Sequence, residues 1–163
     1  MGNINIINNF LDNNLFYEFK KILMSENINW FWRKSMTSAE NNNYFFGHGF
    51  YYDDKVQSDF FEPFILPILK KLNCTKIIQV RANLVLKKEE IFQSDFHTDY
   101  TFDCNTAILY INNCNGYTIL DKLKKIKVPC EENKMLIFNS QIEHASVSQT
   151  DCERRIVVNF NYL

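Results

Sequence analysis

Asn105-Thr106-Ala107-Ile108-Leu109-Tyr110-Ile111-Asn112, then the turn Asn113-Cys114-Asn115-Gly116, then Tyr117-Thr118-Ile119-Leu120, decides the class of this fold. The two flanking runs are short, carry β-branched and aromatic residues, and are bounded by polar turn formers. Strands of an antiparallel sheet read this way. The same pattern continues outward in both directions. Strands are expected over 76–86, 96–99, 105–112, 117–120, 124–128, 134–139, 143–147 and 155–162, with breaks at Pro129 and Thr150-Asp151. About eight short strands at regular spacing predict a mainly β, two-sheet sandwich or jelly roll.

Upstream the periodicity changes. From Asp12 to about Met24, Leu15, Phe16, Phe19, Ile22 and Leu23 fall at helical spacing, with Asp12 or Asn13 as the N-cap. A second helix is expected from Asp59 to Leu72, burying Phe60, Phe64, Ile65, Ile68, Leu69 and Leu72. Pro63 fits its first turn, whereas Pro67 removes a hydrogen bond further in and predicts a kink or a later start. Residues 28–32 and 44–52 read as aromatic-rich strands. The helices are expected outside the sandwich, so residues 1–74 support a core formed by 75–163. The Asn runs, such as Asn41-Asn42-Asn43, are a compositional bias rather than a linker.

The chain has 163 residues, 46% of them hydrophobic, including 15 Phe and 8 Tyr, enough for one domain with a packed interior. Its formal net charge of −1 gives no global attraction to nucleic acid or anionic membrane. No apolar run approaches the roughly 20 residues that span a bilayer. No basic segment followed by an apolar core opens the chain, so a cytoplasmic protein is expected. The five cysteines form no C-x-x-C pair. Free thiols are expected, and a cysteine-based zinc site is not.

The chain has three histidines: His48, His97 and His144. His97 opens His97-Thr98-Asp99. In a strand, residues i and i+2 project from one face, so His97 and Asp99 point together. His144 is the remaining histidine of the β-rich half and supplies a third ligand from another strand. Two imidazoles and one carboxylate suit Fe(II) and leave coordination positions open. On the last strand, alternation places Arg155, Val157, Asn159 and Asn161 on one face. Of Arg154 and Arg155, one faces inward; Arg155 is favoured and Arg154 is the alternative. Such an arginine can grip a carboxylate with a bidentate fork. Tyr110, on a face with Thr106, Ile108 and Asn112, can hydrogen-bond the same carboxylate. Asn83, sharing a face with Arg81 and Val85, can reach the cosubstrate or a metal ligand.

Taken together, His97-Thr98-Asp99, Thr106-Ala107-Ile108-Leu109-Tyr110, Asn115-Gly116-Tyr117-Thr118, His144 and Arg155-Ile156-Val157 resemble, in order and spacing, the 2-oxoglutarate- and Fe(II)-dependent oxygenases. The likeness is to the small prolyl-hydroxylase-like type found in phage and marine bacteria. It covers roughly residues 76–163. The resemblance implies a double-stranded β-helix (cupin-like jelly roll) with His97, Asp99 and His144 as catalytic Fe(II) ligands. It implies 2-oxoglutarate on Arg155 and Tyr110, O2 as co-reactant, and release of succinate and CO2 as a substrate is hydroxylated. Prolyl hydroxylases often carry a tyrosine on the strand before the metal motif, where this chain has Asn83-Leu84.

Three functions compete at this stage. A dioxygenase acts on a peptide prolyl residue or a small molecule. A non-catalytic jelly-roll module senses metal or 2-oxoglutarate. A structural domain requires the His-Asp-His set to be accidental. The aromatic stretches Trp30-Phe31-Trp32 and 44–52 read as core strands or a substrate entrance. His48, between Gly47 and Gly49, reads as a turn residue or a substrate contact.

Overall fold

The computed structural model describes residues 4–34 and 44–163; Met1-Gly2-Asn3 and the run Asn41-Asn42-Asn43 lie outside them. Two antiparallel sheets face each other. The elements in order are β1 (Asn5–Ile7), α1 (Asn13–Leu23), β2 (Phe31–Arg33), β3 (Phe45–Tyr52), β4 (Lys55–Val56), α2 (Leu66–Lys71), β5 (Ile77–Leu86), β6 (Asn105–Tyr110), β7 (Tyr117–Leu120), β8 (Ile126–Pro129), β9 (Met135–Asn139), β10 (His144–Val147) and β11 (Arg154–Tyr162). The major sheet runs β1-β9-β6-β11-β5-β3-β2, with β4 on β3, and the minor sheet runs β10-β7-β8.

The central strand β11 shows why this sequence folds so. Ile156, Val158, Phe160 and Tyr162 alternate onto one face and are buried with Phe16, Phe19 and Leu23 of α1 and Ile68 and Leu69 of α2. Val157, on the opposite face, joins Ile108, Tyr110, Leu120, Val128 and Leu136 between the sheets. The helices therefore cover the outer face of the major sheet, and the inner face is free to hold polar groups. Each fully buried large apolar side chain contributes about 1.5–3 kcal/mol, so the two layers support a site of buried polar atoms between them.

Local signals explain the helices. The Asp12 side chain accepts a hydrogen bond from Leu15 N at 3.0 Å and caps α1. Asp12→Ala should lower unfolding stability by about 1 kcal/mol in a denaturant melt. Arg154 turns outward and donates from Nη2 to Met24 O at 2.8 Å, tying β11 to the end of α1. The second helix begins as a π turn over Phe61–Ile65, and the α-helix restarts at Leu66 with Pro67 in its first turn. Pro67 has no N–H to donate, so the wider i→i−5 turn takes up the register before it. Phe61 is buried in this arrangement and Phe60 only partly.

Three expectations are corrected. Residues 96–99 form no strand; His97 makes an isolated antiparallel bridge with His144. His48 is no turn residue. It sits buried within β3, with Nδ1 2.9 Å from Asn29 O and Nε2 2.9 Å from Ser58 Oγ. The strand expected over 28–32 is confined to Phe31–Arg33, at the exposed edge of the major sheet. β1, a three-residue strand on β9, was not anticipated.

Candidate functional site

The inner faces of β5, β6 and β11 and the strand β10 surround one cavity. Its wall includes His97, His144, Asn83, Thr118, Ser146 and Arg155. His97 N donates to His144 O at 3.0 Å and His144 N to His97 O at 2.9 Å, so a backbone bridge sets the two rings side by side, centroids 4.4 Å apart. Asp99 N donates to Ser140 O, turning the chain so that the Asp99 carboxylate meets the rings.

The donor atoms converge. Asp99 Oδ1 lies 3.5 Å from His144 Nε2 and 3.8 Å from His97 Nε2. His97, Asp99 and His144 form a set able to hold a metal ion. Behind them, His97 Nδ1 faces Asp95 O at 3.4 Å and His144 Nδ1 faces Ile142 O at 3.1 Å. A carbonyl at Nδ1 favours the tautomer with its proton there, leaving the Nε2 lone pair for a metal. Buried His97 Nε2 makes no hydrogen bond. An unpartnered imidazole nitrogen beside a carboxylate oxygen fits a bound cation.

The other carboxylate oxygen is held from behind. Thr106 Oγ1 donates to Asp99 Oδ2 at 2.7 Å, and Asn161 Nδ2 donates to the same atom at 2.9 Å. Burial opposes ionisation of Asp99, but His144 and the Thr106 and Asn161 donors outweigh it and hold the carboxyl well below the usual range. Burial, followed by the neighbouring His144, lowers the His97 pKa. Both groups thus favour their ligand forms, carboxylate and neutral imidazole. Thr106→Val should weaken Mn(II) binding about tenfold by calorimetry, because groups that orient a ligand typically affect affinity on that scale.

Arg155 lines the same cavity and is 2% exposed. Its Nη1 donates to Ser146 Oγ at 2.7 Å and its Nη2 to Thr118 Oγ1 at 3.3 Å. Ser146 and Thr118 are register partners on β10 and β7. Two hydroxyls on adjacent strands therefore aim one guanidinium, and the buried Nε has no partner. Gly116 makes this possible by its size: a Cβ there would lie 2.9 Å from Val147 O and 3.1 Å from Arg155 Cδ.

Tyr110 lies behind Thr118. Its buried hydroxyl donates to Thr118 Oγ1 at 2.7 Å, and the Arg155 guanidinium carbon sits 5.9 Å from its ring centroid. Burial raises its pKa, so it remains a neutral donor. Asn83 and Asn159 line the cavity, and the Oδ1 atom of each is buried without a partner. Of the sequence candidates, His97, Asp99 and His144 converge, His97, His144, Arg155 and Asn83 line the cavity, and Tyr110 stands behind Thr118 outside its lining. Sequence reasoning missed Ser146, Thr118 and the role of Asn161. Ser146 was accessible as the residue two beyond His144, on the same face.

No family model matches the sequence, and no curated protein matches it. Solved structures do match by shape. A 2OG-Fe(II) oxygenase family oxidoreductase from Burkholderia pseudomallei superposes with a TM-score of 0.74 at 10% identity, over 99% of this chain and 84% of that one. The fold is that of the 2-oxoglutarate- and Fe(II)-dependent oxygenases. A prolyl hydroxylase from Trichoplax adhaerens, in complex with a hypoxia-inducible-factor peptide fragment, matches with a TM-score of 0.68 at 14% identity, over 98% of this chain and 83% of that one. The non-haem alpha-ketoglutarate-dependent epimerase SnoN of nogalamycin biosynthesis matches with a TM-score of 0.70 at 13% identity, over 98% of this chain and 77% of that one. This confirms the expected jelly roll. Among the described residues no helix is long and apolar enough to cross a membrane.

Proposed function

We propose that this protein is a 2-oxoglutarate-dependent Fe(II) dioxygenase, a single oxygenase domain that hydroxylates a peptide prolyl residue or a small molecule. One observation carries the proposal: His97 and His144, which converge with Asp99 as a set able to hold a metal, line the same cavity as Arg155. A small dicarboxylate with an adjacent keto group fits between a metal and a guanidinium. Bound Fe(II), with O2 and 2-oxoglutarate, supplies the oxidising power for an unactivated C–H bond, with succinate and CO2 as products.

The chain's own residues position and shield. His97, Asp99 and His144 hold the ion on one face. Thr106 and Asn161 keep Asp99 turned toward it. Arg155 takes the distal carboxylate, aimed by Ser146 and Thr118, and Tyr110 supports that carboxylate through Thr118. Asn83 offers an amide to the cosubstrate. The substrate enters past Phe45, over which Arg81 stacks with its guanidinium carbon 5.5 Å from the ring centroid.

The test is succinate formation from 2-oxoglutarate in the presence of Fe(II) and O2, with His97→Ala as the baseline. Uncoupled turnover above that baseline is expected even without substrate. Tight 2-oxoglutarate binding with no succinate across a broad substrate panel would instead make the protein a sensor module.

A further inference from the structure

Two of the five cysteines meet an aspartate, above a third cysteine, at a place the oxygenase chemistry does not use. Cys114 lies in the turn between β6 and β7, Cys130 directly follows β8, and Cys152 lies in the turn before β11. Cys114 Sγ, Cys152 Sγ and a carboxylate oxygen of Asp151 all lie within 4.8 Å of one another. Beneath them the Cys130 thiol donates to Asn112 O at 3.1 Å. Cys130 is 1% exposed, Cys114 and Cys152 are partly exposed, and Asp151 is on the surface. The cluster therefore has a buried floor and an open side.

The protein assembles these donors with its own bonds. Asn115 N donates to Asp151 Oδ2 at 2.9 Å, and Asn115 Nδ2 donates to Thr150 Oγ1 at 2.8 Å. Thr150 N returns a bond to Asn115 Oδ1 at 2.9 Å, and Cys114 N donates to Cys130 O at 3.2 Å. The turn after β6 and the turn before β11 are thus pinned together before any ligand arrives. We propose that Cys114, Cys152 and Asp151 form a Zn(II) site, separate from the His97-Asp99-His144 centre.

Donor chemistry and charge both favour that ion. Two sulfurs and one carboxylate oxygen, with a fourth position open to water, are a thiolate-rich set, which selects a soft or borderline cation over Mn(II) or Mg(II). Zinc–sulfur bonds of about 2.3 Å put tetrahedral sulfurs about 3.8 Å apart, so contraction by about 1 Å or less closes the site. Two thiolates and a carboxylate around Zn(II) leave an excess of one negative charge. The cationic Arg155 side chain is close by, since a Cβ on Gly116 would lie 3.1 Å from Arg155 Cδ and 3.3 Å from Cys114 Sγ. Uptake displaces the thiol protons, so affinity weakens as the pH is lowered.

Co(II) is the probe, added to the reduced, chelator-stripped full chain carrying His97→Ala and His144→Ala. A near-ultraviolet sulfur-to-cobalt charge-transfer band, saturating at one equivalent and removed by Zn(II), is the expected result. Adding Cys114→Ser and Cys152→Ser should weaken binding by at least about a hundredfold, and Asp151→Asn, a surface change compatible with folding, by about tenfold. Absence of the band, or a band that both variants leave unchanged, overturns the site. Thiol counting that finds Cys114 in a disulfide in place of cobalt uptake overturns it as well. The background without His97 and His144 keeps failure here distinct from failure of the oxygenase assignment.

Discussion

Arg155→Ala raises the Kd for 2-oxoglutarate by about a hundred- to a thousandfold while Mn(II) binding stays near wild type. The size follows from burial. The guanidinium is 2% exposed, so an arriving carboxylate meets a desolvated charge that two hydroxyls have already oriented. Truncating one partner of such a pair costs about 2–5 kcal/mol, and each 1.4 kcal/mol is a factor of ten. Arg155→Lys recovers only part of the loss, because an ammonium cannot span Ser146 Oγ and Thr118 Oγ1 as a planar fork does. Arg154→Ala is the control: its side chain holds Met24 O on the outer face and should leave cosubstrate binding unchanged. Calorimetry with 2-oxoglutarate at saturating Mn(II) decides. An Arg155→Ala affinity within about twofold of wild type removes this residue from the cosubstrate site.

The inward direction of Arg155 was legible because β11 is buried on both faces and a strand's side chains alternate. A one-residue slip would exchange Arg155, Asn159 and Asn161 with Ile156, Phe160 and Tyr162, which the apolar outer layer forbids. His97, Asp99 and His144 were legible as a set, but the geometry that joins them was not. Periodicity suggested a strand at 96–99. The structure instead uses one backbone bridge to His144, and Asp99 N turns to Ser140 O. Thr118 and Ser146 act as a pair only through the register of β7 on β10, a cross-strand relation that no single stretch of chain displays. His48 was misread for a similar reason. Flanking glycines suggest a turn, whereas its partners Asn29 and Ser58 come from segments on either side of β3. The cysteines carry no close spacing either. The turns bring Cys114, Asp151 and Cys152 together across 38 positions, a relation the spacing-based expectation of no cysteine zinc site did not take in.

Asp99→Ala should abolish both the Mn(II)-dependent rise in melting temperature and all succinate formation. A ligand at a hundred times its Kd stabilises the native state by about 2.7 kcal/mol. For a chain of this size that is a rise of roughly 5–10 °C in the wild type. Asp99 supplies the single anionic donor of the centre, through the oxygen 3.5 Å from His144 Nε2 and 3.8 Å from His97 Nε2. Without it two neutral imidazoles remain, which cannot offset the dehydration of a divalent cation. The variant also leaves Thr106 and Asn161 without their shared acceptor, so it should unfold at a lower temperature than wild type even without metal. Asp99→Asn separates the two effects. Its side-chain oxygen can still accept from Thr106 and Asn161, so apo stability recovers, while the missing charge keeps metal affinity low. Mn(II) is the suitable ion because the sulfurs of Cys114 and Cys152 are poor partners for it. A wild-type Mn(II) shift that Asp99→Ala leaves unchanged would place the metal elsewhere and take the oxygenase assignment with it.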